Sequence, residues 1–477
     1  MVSALQPSGT EWLRRLRAAE LSSRELVEHY LQLVDEVDPR LNAVVARNDE
    51  DALSAAERAD EERRRGAELP LLGLPVTIKD SLATAGLTSA SGSLARQGHV
   101  PDSDATVVHR LRAAGAVVLG KTNMPEYAWS YETENVLYGR TTHPFDPDRT
   151  PGGSSGGEAA IIGADASVIG IGTDGGGSIR VPCHYCGLVG IRPTAGLVPE
   201  TGCWPSFRDT GMLDMHCIGP MGRSVDDVAL VLEVIAGRDD VDPFVHGMPV
   251  GDHAGVDVRS LRVGFYTDDG AWPVTRETVA AVEAAAAALD EEGCAVEQAS
   301  PPDLTPATDL FFELMAADGG ARARADLAGA QSRHVEQMTQ LLETLEPMAL
   351  DAAGFFALAR RAFDFRTSVR AFVSRYDVVL APVTVGSAPL HGRRPGDDGE
   401  LESYLPFNYT HAYSVAGLPV AVVPAGTERG LPLGVQVVAG AFADHVALAA
   451  ARTLEGRLGG FAGVAARSSA VSDRGRT

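Results

Sequence analysis

Apolar runs of strand length alternate with helical patterns along nearly the whole chain, and this alternation constrains the fold more than any other feature of the sequence. Strand-like runs fall at residues 74–78, 116–119, 166–171, 261–265, 377–380, 419–423 and 434–438. Helical patterns fill 105–114, 225–236, 275–292, 303–317, 335–375 and 442–458, and residues 10–66 read as helical. Ser22 and Glu25 stand at capping-box spacing ahead of Leu26, Val27, Tyr30 and Leu31. Strands alternating with helices predict an α/β layered fold. No repeat of fixed period and no long polar linker divides the 477 residues, so one large domain over 1–477 is expected. Within it, 10–70 would be N-terminal helices, 71–235 the core that carries the chemical motifs, 303–375 a helical insert on the substrate side, and 459–477 a mobile tail.

Charge narrows the partners. A formal net charge of −23 argues against nucleic acid, because phosphate contacts need a basic patch, and against docking on an anionic membrane. No stretch approaches the ~18 consecutive apolar residues of a membrane span, and the start has no basic region followed by an apolar one. The five cysteines, Cys183, Cys186, Cys203, Cys217 and Cys294, are odd in number, which suggests reduced thiols and a cytoplasmic protein. Cys183-His184-Tyr185-Cys186 fits C-x-x-C, but the paired spacing of a structural zinc site is missing, so small buried thiols are expected and no metal.

The chemistry gathers around lysine and glycine. Of 41 basic side chains only Lys79 and Lys121 are lysines. Arginine stays charged in proteins, whereas a buried lysine can lose its proton and act as a base. Lys79 ends the apolar run 71–78, at the mouth of an expected buried strand. Neutrality at pH ~8 from a reference pKa of about 10.4 costs about 3.3 kcal/mol, which burial must supply. Downstream come Gly152-Gly153-Ser154-Ser155-Gly156-Gly157 and Gly175-Gly176-Gly177-Ser178. Gly152–Gly156 matches the G-x-S-x-G elbow, but the prolines at 144, 147 and 151 exclude the strand that the elbow requires. Gly170–Gly175 matches G-x-G-x-x-G, but Pro182 leaves little room for the helix of a dinucleotide site. What the second loop offers is a run of unobstructed amides, Gly175, Gly176 and Gly177, that can hold an oxyanion beside the Ser178 hydroxyl. That hydroxyl needs a base. Twelve histidines leave a Ser-His-Asp arrangement open, but His109, His143, His184 and His216 carry no recognisable spacing and read as packed or surface residues. Lys79 competes well for the role.

The motifs together resemble the amidase signature family. The match runs through Gly73-Leu74-Pro75 to Lys79-Asp80, Gly120-Lys121-Thr122-Asn123-Met124-Pro125-Glu126, Pro151 to Glu158, Gly172 to Arg180, Cys186 to Thr194 and Gly219-Pro220-Met221. It is close over 70–235 and looser over 376–458, and it is nearest to fatty-acid-amide hydrolase-like and general bacterial amidases. The resemblance implies a mixed central sheet flanked by helices on both faces, no cofactor, and hydrolysis of amide C–N bonds through an acyl-enzyme. It implies that Ser178 is the nucleophile, Ser154 the proton relay after a cis Gly153–Ser154 peptide, Lys79 the neutral base, Ser155 a supporting residue and Lys121 a structural one. Trp129 would line the acyl pocket, and Tyr127, Tyr131, Trp204, Phe207, Leu310, Phe311, Phe312 and Met315 could add apolar surface. Gly175 departs from the family's more usual Thr, Ile or Ala and should loosen its loop. The expected partner is a small amide, with at most a second copy of the chain beside it. An alternative is the amidase-like subunit of a tRNA-dependent glutamine amidotransferase. That subunit usually reads Thr-Gly-Gly-Ser-Ile-Arg-Gln-Pro where this chain reads Gly-Gly-Gly-Ser-Ile-Arg-Val-Pro. A carbamate or ester hydrolase could use the same site.

Overall fold

The computed structural model describes residues 5–208, 210–212, 214–270, 272–328, 333–392 and 407–461. Its strands, in chain order, are β1 (Val44–Ala46), β2 (Pro75–Lys79), β3 (Val117–Thr122), β4 (Glu134–Asn135), β5 (Gly139–Arg140), β6 (Ile169–Asp174), β7 (Val189–Arg192), β8 (Cys217–Gly222), β9 (Arg262–Phe265), β10 (Ala295–Gln298), β11 (Val378–Pro382), β12 (Val420–Glu428) and β13 (Leu431–Ala439). Eleven of them form one mixed sheet in the order β1-β3-β2-β6-β8-β7-β12-β13-β11-β9-β10, and β4 and β5 make a small hairpin. β3, β2 and β6 run parallel to one another, as do β11, β9 and β10, while the strands between pair antiparallel.

The uninterrupted apolar runs become strands buried on both faces, as expected when helices cover each side of a sheet. β11 shows the division: Val378 and Leu380 join one core, and Val379 and Ala381 join the other. The first core packs against helices Gly9–Arg17, Ser23–Leu41, Thr106–Ala113, Val225–Ile235, Arg276–Glu292 and Asp444–Leu458. The opposite face is covered by helices Gly156–Gly163, Arg180–Cys186, Ala307–Met315, Ala352–Val373 and Asn408–Ala416. The molecule is therefore a single α/β domain with a mixed sheet between helical layers.

Local signals explain much of this. Ser22 Oγ accepts from the Glu25 N–H, and Glu25 Oε2 accepts from the Ser22 N–H, closing the capping box that starts the long second helix. Residues 10–66 do not form one helical stretch: three helices, Gly9–Arg17, Ser23–Leu41 and Asp49–Arg64, are broken by β1, which hydrogen-bonds along β3. Four sheet strands, β1, β7, β8 and β10, lie outside the expected runs. β8 holds Gly219 and Pro220, residue types that disfavour a central strand, yet Pro220 pairs opposite Ile171 inside the sheet. Residues 303–375 contain helices Ala307–Met315, Ala321–Leu327, Glu336–Leu345 and Ala352–Val373, and 329–332 lie outside the described residues. Of the expected tail, 462–477 also lies outside them. The five cysteines are buried and free. No described helix is long and apolar enough to cross a membrane.

Helix Gly156–Gly163 presses against the chain after β3. The Gly157 N–H donates to Asn123 O at 3.1 Å, and a Cβ on Gly157 would lie 2.4 Å from that oxygen and 2.5 Å from Asn123 N. Because the obstruction is backbone, Gly157→Ala should cost ~1–3 kcal/mol. An unchanged denaturant midpoint would show that the helix can back away without loss.

Candidate active site

Parallel pairing brings the carboxyl ends of β2 and β6 side by side, with Thr77 opposite Gly170 and Ile78 opposite Ile171. Val76 and Ile78 point into the first core, so Lys79 turns its side chain to the other face, toward helix Gly156–Gly163. There it is fully buried, and three hydroxyls surround its amine: Ser154 Oγ at 2.7 Å, Thr173 Oγ1 at 2.8 Å and Ser155 Oγ at 3.0 Å. Burial pulls its pKa down to about 7. Ser155 Oγ donates to Thr173 O at 3.2 Å and accepts from the Thr173 N–H at 3.3 Å, so its hydrogen is already committed. A neutral amine donates two hydrogens and keeps one lone pair. Ser154, the nearest hydroxyl, can give its hydrogen to that lone pair. The Gly153–Ser154 peptide is cis.

Ser178 follows β6 on the glycine loop, and one buried ion pair shapes that loop. Asp174 Oδ1 accepts from the Gly177 N–H (2.7 Å) and Arg180 Nη2 (2.9 Å), and Oδ2 accepts from the Ile179 N–H (3.2 Å) and Arg180 Nε (3.0 Å). Burial alone would raise the Asp174 pKa, but Arg180, Arg192 and these N–H groups hold it well below the usual carboxylate range. Gly176 O accepts from the Tyr131 hydroxyl at 2.9 Å and from Thr410 Oγ1 at 2.7 Å. The loop is thus pinned at several points around Gly175. The Gly177 amide, expected among the oxyanion donors, instead serves Asp174. The N–H groups of Gly175, Gly176 and Ser178 and the Ser178 hydroxyl have no partner among the described residues.

A cavity of about 570 Å³, counting space open to solvent, begins at these serines. Its lining includes Ser154, Thr173, Gly175, Gly176, Ser178, Trp129, Tyr131, Phe207, Phe311, Phe312 and Met315, and among the described residues no Asp, Glu, Lys or Arg. Ala128, Ser130, Met212, His216 and Leu341 complete it; no motif or spacing in the sequence marks these. Gly177 is not on the wall. Tyr127, Trp204 and Leu310 stand behind it: Tyr127 donates to Asp326 Oδ2 at 2.7 Å and packs edge-on against Trp129 and Trp204. Phe311 stacks on His411, with ring centres 4.3 Å apart. His411 lies between Tyr131 OH (2.7 Å to Nε2) and Thr308 Oγ1 (3.0 Å to Nδ1). Lys121, opposite Ile78 and so on the other face of the sheet, donates to Leu82 O, Thr84 Oγ1 and Ser89 Oγ and props the turn after β2.

The buried amine also has a stability signature. The Lys79 pKa falls from 10.5 to about 7 on folding, so between those values the unfolded chain binds the extra proton and stability rises with pH. Compared with Lys79→Met, the wild type should lose ~1.4 kcal/mol per unit as pH falls from 9 to 7, then level off below about 7. Parallel stability curves for the two proteins over pH 7–9 would show that the amine is not perturbed.

Comparison with known proteins agrees with this architecture. The Amidase family model matches residues 25–448. A glutamyl-tRNA(Gln) amidotransferase subunit of Moorella thermoacetica is 35% identical over 466 residues, which cover 92% of this chain and 94% of the relative. The same subunit of Roseiflexus castenholzii is 36% identical over 455 residues, covering 90% of this chain and 91% of the relative. These relatives back the alternative reading of the sequence more specifically than general amide hydrolysis. The expectation that nucleic acid plays no part fits poorly with a name that includes tRNA. Among solved structures, the peptide amidase PAM in complex with the competitive inhibitor chymostatin is similar at 32% identity and TM-score 0.80, over 95% of this chain and 97% of that one. Fatty acid amide hydrolase, at 23% identity and TM-score 0.85 over 95% of this chain and 85% of that one, shares the fold. The chain belongs to the amidase signature family, whose enzymes act on amide C–N bonds.

Proposed function

We propose that the protein is an amidohydrolase for amides with an uncharged, apolar acyl group, working through a Ser178-Ser154-Lys79 triad. Ser178 Oγ attacks the carbonyl carbon while its proton passes to Ser154 and the Ser154 proton passes to neutral Lys79. The N–H groups of Gly175, Gly176 and Ser178 hold the oxyanion, a role worth ~3 kcal/mol of barrier per donor. Collapse breaks the C–N bond as the proton returns through Ser154 to the leaving nitrogen. Water then releases the acid from the Ser178 ester by the same route. One observation carries the substrate class: an aromatic and thioether wall closes directly on the two serines, with no formal charge among its described residues. Trp129 belongs to the acyl side of that wall. We take the enzyme to act in the cytoplasm, a reading supported by its free, buried thiols.

The names of the relatives favour a second reading, in which glutamine is the amide and its ammonia passes to a partner acting on tRNA. Glutamine carries an ammonium and a carboxylate, and burying each without a partner is costly. Among its described residues the cavity wall offers no opposite charge to either. A panel of aryl, branched aliphatic and long-chain amides, carbamates, esters and glutamine separates the readings. Apolar amides should exceed glutamine by at least about a hundredfold in kcat/KM; glutaminase activity above all others, or a co-purifying partner that raises it, would establish the second reading.

Two tests address the triad. Ser178→Ala should abolish labelling by a fluorophosphonate probe, and full labelling of that variant would sink the nucleophile. Because the base must be neutral, kcat/KM should rise with pH through about 7 and plateau above it. Lys79→Arg, which keeps its charge, should remain inactive up to pH 9; turnover by that variant would refute the base.

A further inference from the structure

The Gly176–Gly177 peptide is held at both ends by groups outside the triad. Its oxygen accepts from the Tyr131 hydroxyl at 2.9 Å and from Thr410 Oγ1 at 2.7 Å. Its N–H, that of Gly177, donates to Asp174 Oδ1 at 2.7 Å. The proposed chemistry uses neither hydroxyl, yet both side chains are set in place. The Tyr131 ring stacks on Phe407, with ring centres 3.7 Å apart and planes 16° apart, and His411 Nε2 stands 2.7 Å from the phenol oxygen. Thr410 is fully buried on helix Asn408–Ala416 and lies directly behind the loop: a Cβ on Gly177 would come within 2.7 Å of its Oγ1. Tyr131 lines the cavity and Thr410 does not.

That peptide plane stands between two others. The plane before it carries the Gly176 N–H and the plane after it carries the Ser178 N–H, two of the proposed oxyanion donors. Residues 175–177 are all glycine, with no Cβ to restrict rotation, so the backbone alone does not keep these N–H groups aimed at the cavity. An amide plane bonded at its oxygen and at its hydrogen cannot turn without losing hydrogen bonds at both ends, and its neighbours are held with it. Asp174 supplies only the hydrogen end. We propose that Tyr131 and Thr410 are positioning residues for the reaction: by clamping the Gly176 carbonyl they keep the Gly176 and Ser178 N–H groups aimed at the oxyanion. Their effect falls on the transition state, where the negative charge develops, rather than on substrate binding. This inference rests on the amidohydrolase reading and adds two residues to its machinery.

The test measures kcat and KM with the most reactive amide of the panel, and the affinity of the trifluoromethyl ketone that carries the same acyl group. Such a ketone forms a tetrahedral adduct with a serine and so places an oxyanion where the substrate has a carbonyl. Tyr131→Phe keeps the ring and its stack but loses the hydroxyl; Thr410→Val keeps the shape and loses the hydroxyl from a position that substrate does not touch. Each should lower kcat by about five- to tenfold, the net worth of one hydrogen bond, with KM within about twofold of the wild type. Each should weaken the trifluoromethyl ketone by the same factor and leave the midpoint of the pH profile in place. Thr410→Ser, which restores the hydroxyl, should recover most of the kcat that Thr410→Val loses. Either single variant decides the matter if the other does not fold. An unchanged kcat, a loss confined to KM, a kcat loss that the trifluoromethyl ketone does not share, or no recovery in Thr410→Ser would overturn the positioning role alone. Failure of the wild type to hydrolyse any amide in the panel would overturn the amidohydrolase reading with it.

Discussion

The Asp174–Arg180 pair organises everything around the glycine loop. Both side chains are fully buried, where an unpartnered charge would cost several kcal/mol. The pair is tolerable because nearly every lone pair and hydrogen is used. Asp174 gathers the N–H groups of Gly177 and Ile179 as well as the guanidinium, and Arg180 reaches on to Thr410 O, Ser414 Oγ and Gln436 Oε1. A loop rich in glycine, which would wander in water, is thereby fixed to helix Asn408–Ala416 and to β13. The backbone freedom of Gly177, with φ at +134°, lets its amide reach Asp174.

The same tension between burial and charge sets the state of Lys79. Desolvation opposes its ammonium form, and three hydroxyls supply the hydrogen bonds that a neutral amine still needs. The sheet makes this possible: β2 is buried at every position, so the strand that carries the lysine is held by its neighbours on both edges. Lys121, one strand away, is equally buried but faces carbonyl and hydroxyl oxygens on the opposite side of the sheet, away from the cavity.

Sequence reasoning reached the parts whose chemistry is written in single residues. Lys79, Ser154 and Ser178 stand out in the sequence because a rare lysine and serines set in glycine are unusual, and the fold brings Lys79 and Ser154 into contact and Ser154 and Ser178 to one cavity. The layered fold was legible in the alternation of strand and helix. What escaped depends on tertiary pairing. β8 hides behind Gly219 and Pro220, and its place beside β6 emerges only once the register is known. The Gly177 amide looks free in a glycine run, and only the position of Asp174 three residues earlier withdraws it. His216 reads as a packed or surface residue, and only the fold places it on the cavity wall near Gly175.

The stack of Phe311 on His411 has a consequence for how such a cavity can change over evolutionary time. Phe311 forms part of the wall, yet its neighbour His411 stands between Thr308 and Tyr131, and Tyr131 holds the Gly176 carbonyl. Phe312 joins that group edge-on against both Phe311 and His411, whereas Met315 and Leu341 line the same space outside those ring and hydrogen-bond contacts. The wall is therefore divided into positions that can drift freely and positions tied to the reacting loop. The cavity can change shape by substitution at 315 and 341, while 308, 311, 312 and 411 are coupled and change together.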